Sequence, residues 1–267
     1  MEKIGLIAGN RKFPLLFAEA ARKRGVTIVA IAIKGDTDPQ LKRFVGSIHW
    51  LGLREFRRMF DIFKQEGVSK VIMAGQISPR SLFSKEVQKD TMLKEMLDSI
   101  KDKRADTIFG AIADKLKAEG LELIDSTTYI TDYLPPKGTL TKRAPDFAEW
   151  EDIYFGLEMA KAIGYLDIGQ TVAVKHKAIM AVEALEGTDN LIRRAGRLSR
   201  GGFVIVKVSK PKQDKRFDIP VIGLNTVKTI LSCGGRCLAI EAQKTLFIDR
   251  EKSLALADRK GMTIVSV

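Results

Sequence analysis

Histidine is almost missing from this chain. Only His49 and His176 occur among 267 residues. Both fall in strand-like segments, which argues against a serine–histidine–aspartate triad or a histidine cage for a metal. Cysteine is equally scarce. Cys233 and Cys237 are too few for a disulfide framework and lack the partnering histidines of a zinc site. No apolar run approaches the roughly 20 residues that span a bilayer. The first apolar run is too short for a signal peptide and reads as a strand, so the expected location is the cytoplasm. No G-x-G-x-x-G follows that strand, where the glycines are Gly5 and Gly9, and a dinucleotide dehydrogenase is rejected. A Walker A pattern is also absent, which argues against a P-loop NTPase. Any catalysis therefore rests mainly on carboxylates, amides and basic groups.

Positive charge is abundant and local. The formal net charge is +12. The stretch Arg193 to Arg216 holds nine basic residues against one acid, Asp214, and so carries +8 of that total. A solvated basic face is the plain explanation of such a run, but Gly201-Gly202 and Pro211 interrupt it, unlike an ordinary charged helix. A basic concentration beside isolated carboxylates suits a phosphate-rich ligand, with an acid available for a metal or a proton. The sequence pI of 9.6 admits nucleic acid, anionic membrane or a phosphorylated small molecule as partner. Phe203 is the only aromatic residue in the stretch, so no base-stacking platform is evident.

The first half of the chain alternates strands and helices. Ile4–Gly9, Thr27–Ile33, Ser47–Leu51, Ser69–Gly75 and Leu121–Ser126 read as strands, while Pro14–Lys23, Leu53–Glu66 and Ala105–Ala118 carry helical apolar spacing. This rhythm implies an α/β fold whose N-terminal domain is a Rossmann-like parallel sheet covered on both faces. Ligands in such folds bind beyond the carboxyl ends of the strands. Gly9 and Asn10 after the first strand, and Gly75, Gln76 and Ile77 after the fourth, are candidate substrate contacts. A turn needing positive φ accounts for the glycines equally well.

Three prolines and a glycine in Asp132–Pro145 mark a boundary. The expected domains are 1–134 and 146–267, joined by a linker at 135–145. The C-terminal domain reads as mixed α/β. It has helices at Phe147–Ala162, Asp189–Leu198 (capped by Thr188 or Asp189) and Glu251–Lys260. Thr171–Val174 and Ile179–Leu185 are expected to pair, as are Arg236–Ala242 and Thr245–Ile248. Phe203–Val208 and Thr263–Val267 complete the strands. Ala181-Val182-Glu183-Ala184 and Ala239-Ile240-Glu241-Ala242 echo one another, each setting one carboxylate inside an apolar strand, where it is costly unless paired or metal-bound.

Glu183, Glu186 and Asp189 could gather at a strand end as magnesium ligands. Taken singly, each has a plainer role as ion-pair partner, solvated acid or helix cap. Asp214 and Asp218 flank Arg216 between Pro211 and Pro220. In an extended segment Asp214, Arg216 and Asp218 would project together, either as a structural ion pair or as a metal ligand beside a phosphate-binding cation.

Several motifs together carry a family resemblance. These are Ile7-Ala8-Gly9-Asn10, Gly75-Gln76-Ile77-Ser78-Pro79-Arg80, Asp167-Ile168-Gly169-Gln170, the run from Val182 to Asp189, Arg193-Arg194-Ala195-Gly196, and the run from Lys210 to Pro220. In that order they resemble the LpxI family of UDP-2,3-diacylglucosamine pyrophosphatases. The resemblance implies a two-domain enzyme of lipid A synthesis. It would hydrolyse UDP-2,3-diacylglucosamine to 2,3-diacylglucosamine 1-phosphate and UMP, by metal-assisted attack of water on the uridine-side phosphorus. It further implies Mg2+ or another divalent cation, a homodimer, peripheral association with the anionic inner-membrane surface, and no nucleic-acid partner. A catalytic aspartate is expected at Asp218, with Asp214 second. Asp218, Glu183, Glu186 and Asp189 are the candidate metal ligands. On these motifs and the basic stretch, Gln170, Thr188, Arg194, Lys207, Lys210, Gln213 and Arg216 join the candidate substrate contacts. Two other classes remain open: a non-enzymatic nucleotide- or nucleic-acid-binding protein, and a nucleotide-sugar transferase.

Overall fold

A computed structural model describes residues 2–75, 90–102, 105–216 and 219–267. The chain divides into two compact units. One runs to Thr131 and also takes in Asp214, Lys215 and Arg216; the other comprises Asp132–Gln213 and Ile219–Val267.

In the first unit, β1 (Lys3–Ala8), β2 (Thr27–Ile33), β3 (Ser47–Leu51), β4 (Lys70–Ala74) and β5 (Glu122–Leu123) form a parallel sheet in the order β3-β2-β1-β4-β5. The run TIVAIAI of β2 is buried almost throughout, as expected for a strand covered on both faces. Side chains alternate across the pleat. Ile7, Val29, Ile31, Val71 and Met73 pack with Met59, Phe60 and Phe63 of α2 (Phe56–Gln65). Ile108, Ile112 and Leu116 of α4 (Ala105–Ala118) join the same cluster. Leu93, on α3 (Thr91–Ser99), is also buried. Helix α1 (Phe13–Lys23) packs on β2 and β4 and buries Phe17, Ala18 and Ala21. The Rossmann-like parallel sheet expected from the alternating pattern is therefore present.

In the second unit, β6 (Gly138–Thr139), β7 (Thr171–Lys175), β8 (Ala178–Val182), β9 (Val204–Lys207), β11 (Cys237–Ile240) and β13 (Thr263–Ser266) form a mixed sheet in the order β6-β13-β11-β9-β7-β8. Strands β9, β11 and β13 run parallel, while β6, β7 and β8 each pair antiparallel to a neighbour. Val172, Val174, Val204 and Val206 face α5 (Phe147–Tyr165); Ala173, Ile205 and Leu238 face α6 (Thr188–Ser199), α7 (Leu224–Ser232) and α8 (Arg250–Arg259). Asp146 and Glu149 start α5 with a reciprocal capping box, at 2.9 and 3.0 Å.

The expected hairpin of β7 and β8 forms. His176 and Lys177 make its turn with φ of 53° and 56°, and Asp152 accepts both their N–H groups. His176 thus lies in a turn and not in a strand. The second expected hairpin does not form. β11 pairs with β9 and β13, whereas β12 (Leu246–Phe247) pairs in parallel with β10 (Val221–Ile222). Both segments read as strands, but strand character leaves the partner open. Helix α6 also departs from expectation. Gly187 holds its N-cap position with no side-chain cap, because the Thr188 hydroxyl donates to Glu183 instead, at 2.6 Å.

Candidate functional site

Gly9, Asn10 and Gly75 meet at the carboxyl ends of β1 and β4, where the strand order reverses. The Gly9 N–H donates to the Ala74 carbonyl at 2.8 Å. Gly75 has φ +83°, and a Cβ there would lie 2.4 Å from the Asn10 carbonyl oxygen. Only glycine permits this approach. The side-chain oxygen Oδ1 of Asn10 is buried without a hydrogen-bond partner among the described residues, so an acceptor stands ready at the switch point. Gln76 and Ile77 lie outside the described residues.

The same unit contains Asp214 and Arg216. Ser126, just beyond the carboxyl end of β5, ties this segment down. Its N–H and its hydroxyl both donate to the Lys215 carbonyl, at 3.1 and 2.9 Å. Lys215 and Arg216 form a turn where an extended strand was considered. Asp214 Oδ1 accepts the Arg216 N–H at 3.0 Å, and the guanidinium grips both carboxylate oxygens through Nε at 2.9 Å and Nη2 at 2.6 Å. A short side chain bonding the backbone two residues on favours such a turn over a strand. Hydrogen bonds from the Arg216 side chain hold the Asp214 carboxyl below its ordinary range. Asp218 lies outside the described residues.

In the second unit, Gln170, Glu183, Thr188 and Lys207 come together at the carboxyl end of β9. Lys207, 4% exposed, donates to the hydroxyls of Thr188 at 2.9 Å and Thr171 at 3.2 Å. Its ammonium stands 3.8 Å from Glu183 Oε2. Burial opposes ionisation of Glu183. The Lys207 charge and hydrogen bonds from Thr171, Thr188 and the Gln170 N–H outweigh it, and the carboxyl sits below its ordinary range. Gly169 lets this cluster close, since a Cβ there would fall 2.1 Å from the Glu183 carbonyl oxygen. Glu183 Oε2 and Gln170 Oε1 are buried acceptors without hydrogen-bond partners among the described residues.

Lys210 and Gln213 follow on the loop after β9. Lys210 Nζ pairs with Asp167 at 2.6 Å, both side chains being largely buried. Asp167 has φ 57°, a conformation an aspartate tolerates better than most side chains. Arg194 is held outside the buried cluster, on Glu186 at 3.1 Å and on the Val182 carbonyl. Asp189 occupies the first turn of α6, where a carboxylate complements the helix dipole. Glu183 and Glu186 thus each have a cation of their own. Among the described residues no group of three histidine, cysteine or acidic side chains is placed to hold a metal.

Four groups were not singled out as site residues from the sequence: Ser126, Asp167, Lys161 and Glu241. Glu241 carried a signal, as an acid inside an apolar strand. Asp167 sat in a resemblance motif without a role. Ser126 and Lys161 carried none, because their partners are distant in the chain.

Comparisons place this geometry among known proteins. Residues 3–133 match the model of the LpxI N-terminal domain, and residues 136–265 that of the LpxI C-terminal domain. The UDP-2,3-diacylglucosamine pyrophosphatase LpxI of Caulobacter vibrioides is 32% identical over 277 residues, covering 100% of this chain and 98% of that protein. Among solved structures, a UDP-glucose-4-epimerase from Stenotrophomonas maltophila aligns over 45% of this chain and 35% of its own, at 13% identity and a TM-score of 0.29. A Rhizobium etli pyruvate carboxylase aligns over 67% of this chain and 16% of its own, at 16% identity and a TM-score of 0.29. Those two scores are too low to bear on the fold. The two family models follow one another along nearly the whole chain and the Caulobacter protein matches it from end to end, and so the chain belongs to the LpxI family.

Proposed function

We propose that this protein hydrolyses UDP-2,3-diacylglucosamine to 2,3-diacylglucosamine 1-phosphate and UMP, a step of lipid A synthesis. The observation that carries this reading is the full-length relationship to the Caulobacter pyrophosphatase. Water oxygen bonds to the uridine-side phosphorus, the bridging P–O bond breaks, and the departing oxygen stays with the sugar phosphate. Such chemistry depends on positioning and charge and needs no histidine.

The charge stabilisation is assigned to Lys210 and Arg216. Each is held by a carboxylate, Asp167 and Asp214 respectively, and so is oriented before substrate arrives. Lys207 and Thr188 donate within the buried cluster, with Gln170 beside them, and Gln213 is assigned as a polar contact on the Lys210 turn. Gly9, Asn10 and Gly75, with Gln76 and Ile77, are assigned to substrate at the switch point.

A divalent cation, Mg2+ first, belongs to the proposal as an aid to water activation. The described residues do not form a cage for it, since Glu183 and Glu186 are engaged by Lys207 and Arg194. Magnesium commonly takes one or two carboxylates and completes its shell with waters and substrate phosphates. Asp218, also the first choice as catalytic aspartate, is the carboxylate proposed here; Asp214, whose two oxygens are gripped by Arg216, stays second as catalytic aspartate only. A diacylated substrate also calls for peripheral contact with the anionic inner membrane on the cytoplasmic side, to which exposed lysines and arginines are drawn. No helix among the described residues is long and apolar enough to cross a membrane. A homodimer is the proposed assembly.

Incubating the purified protein with UDP-2,3-diacylglucosamine and magnesium, and identifying the nucleotide released, tests the reading. UMP supports it. UDP would indicate sugar transfer, and binding without turnover a non-catalytic nucleotide-binding protein.

A further inference from the structure

Beyond Lys207 the chain leaves the sheet through Val208 and Ser209, and both backbone groups of Ser209 are held by side chains. Its N–H donates to Glu241 Oε2 at 3.0 Å. Its carbonyl accepts from Lys161 Nζ at 2.8 Å. Lys161 and Glu241 are themselves paired at 2.5 Å. Lys244 completes the set by donating to Glu241 Oε1 at 2.5 Å.

The two clamping residues come from separate elements. Lys161 lies on the second turn from the end of α5. Glu241 directly follows β11, whose Ile240 stands beside Lys207 of β9. The clamp therefore sits at the carboxyl edge of the parallel strands, the edge at which α/β sheets bind ligands.

A tight turn begins where the clamp ends. The Gln213 N–H donates to the Lys210 carbonyl at 3.0 Å, with Pro211 in the position such turns favour. Gln213 Oε1 closes the turn from inside, accepting the Lys210 N–H at 2.6 Å and the Ser209 hydroxyl at 3.2 Å. Ser209 is thus the fixed point from which Lys210 and Gln213 are displayed.

We propose that Lys161 and Glu241 are positioning residues, which fix Ser209 and through it hold the turn that presents Lys210 and Gln213 to the phosphates of the substrate. This rests on the hydrolytic reading above. Fold stability alone does not explain the arrangement. Taking a carboxylate and an ammonium partly out of water costs desolvation that their attraction often only offsets, and neutral polar side chains could satisfy the two buried Ser209 backbone groups without any charge. Directional bonds to both the N–H and the carbonyl of one residue, and so to the two peptide units that flank it, instead fix geometry, as a phosphate-binding turn requires. The Lys161 and Lys244 hydrogen bonds and that from the Ser209 N–H overcome the burial that opposes ionisation, so Glu241 sits below its ordinary range and remains charged.

The test uses the full-length protein and three variants: Lys161→Met, Lys161→Arg and Glu241→Gln. Amide hydrogen exchange is followed across 209–213, together with kcat and KM on detergent-dispersed UDP-2,3-diacylglucosamine. Lys161→Met is expected to speed exchange at these amides by about tenfold or more and to lower kcat/KM by roughly ten- to a hundredfold. Lys161→Arg should restore most of both. In the double variant Lys161→Met with Lys210→Ala, the loss should be smaller than the two single losses combined, because the clamp acts through the turn that carries Lys210 and only its effect on Gln213 remains. Unchanged exchange in Lys161→Met, or fully additive losses in the double variant, would overturn the proposal. If Lys161→Met does not fold, Glu241→Gln carries the same comparison. A wild-type protein without turnover removes the hydrolytic reading, and the exchange result then decides the clamp separately.

Discussion

Ser126 donates twice to one acceptor. Its N–H and its hydroxyl both reach the Lys215 carbonyl, at 3.1 and 2.9 Å, although 89 residues separate them. The turn between Asp214 and Arg216 is thereby pinned at the carboxyl edge of the first unit's sheet. Ser126→Ala removes only the hydroxyl bond, and is expected to cost about 1 kcal/mol of stability. Activity should fall by more than that loss explains. Urea denaturation alongside kcat/KM separates the two effects, and unchanged kinetics would mean that the pinning has no catalytic consequence.

Arg216 grips Asp214 with two parallel bonds, a geometry that lysine cannot copy. Arg216→Ala is expected to weaken transition-state stabilisation by about 3 kcal/mol, as other anion-stabilising donors do. Arg216→Lys should recover only part of it. Steady-state kinetics on both variants decide this, and full activity in Arg216→Ala would leave the arginine as a surface charge.

Asp218→Ala is expected to abolish turnover while leaving the melting temperature and most substrate affinity intact. Asp214→Asn should lower activity less, since its carboxylate is already committed to Arg216. Near-normal kcat for Asp218→Ala at saturating magnesium would pass the catalytic assignment to Asp214.

The Glu183–Lys207 pair predicts an acid limb in stability. Glu183 titrates lower in the folded protein than its ordinary value of 4.5. Its contribution is therefore fully present above that value and is lost as pH falls below it through the folded pKa. Glu183→Gln should be less stable than wild type at neutral pH, because it leaves the buried Lys207 without a countercharge. The difference should shrink as pH falls below 4.5. Thermal melts from pH 3 to pH 7 follow it, and a gap independent of pH would show that Glu183 does not titrate as described.

Gly75→Ala meets two penalties: a left-handed backbone at φ +83° and a Cβ at 2.4 Å from the Asn10 carbonyl. The backbone penalty alone is about 1–3 kcal/mol. Loss of that order in urea unfolding is expected, together with a raised KM if the switch point holds substrate. A stable variant with unchanged KM would remove Gly9, Asn10 and Gly75 from the site.

Local pattern and spacing were enough to read much of this protein from its sequence. The short, β-branched run of β2 reads as a strand covered on both faces, and the spacing of Met59, Phe60 and Phe63 forms one helical stripe. Alternation of such segments dictates a parallel sheet. The long C-terminal motifs similarly marked the family. Partner choice was not written locally. Cys237–Ile240 and Leu246–Phe247 have strand character in either arrangement, and only the packed structure sends them to different neighbours. The acids show the same division. Sequence marks Glu183, Glu186 and Asp214 as unusual, because a carboxylate among apolar or basic residues needs a partner. Only the tertiary structure supplies Lys207, Arg194 and the Arg216 fork as those partners. Electrostatic pairing depends on distance in space, which sequence separation does not encode, and for that reason Ser126 and Lys161 became visible only once the chain had folded.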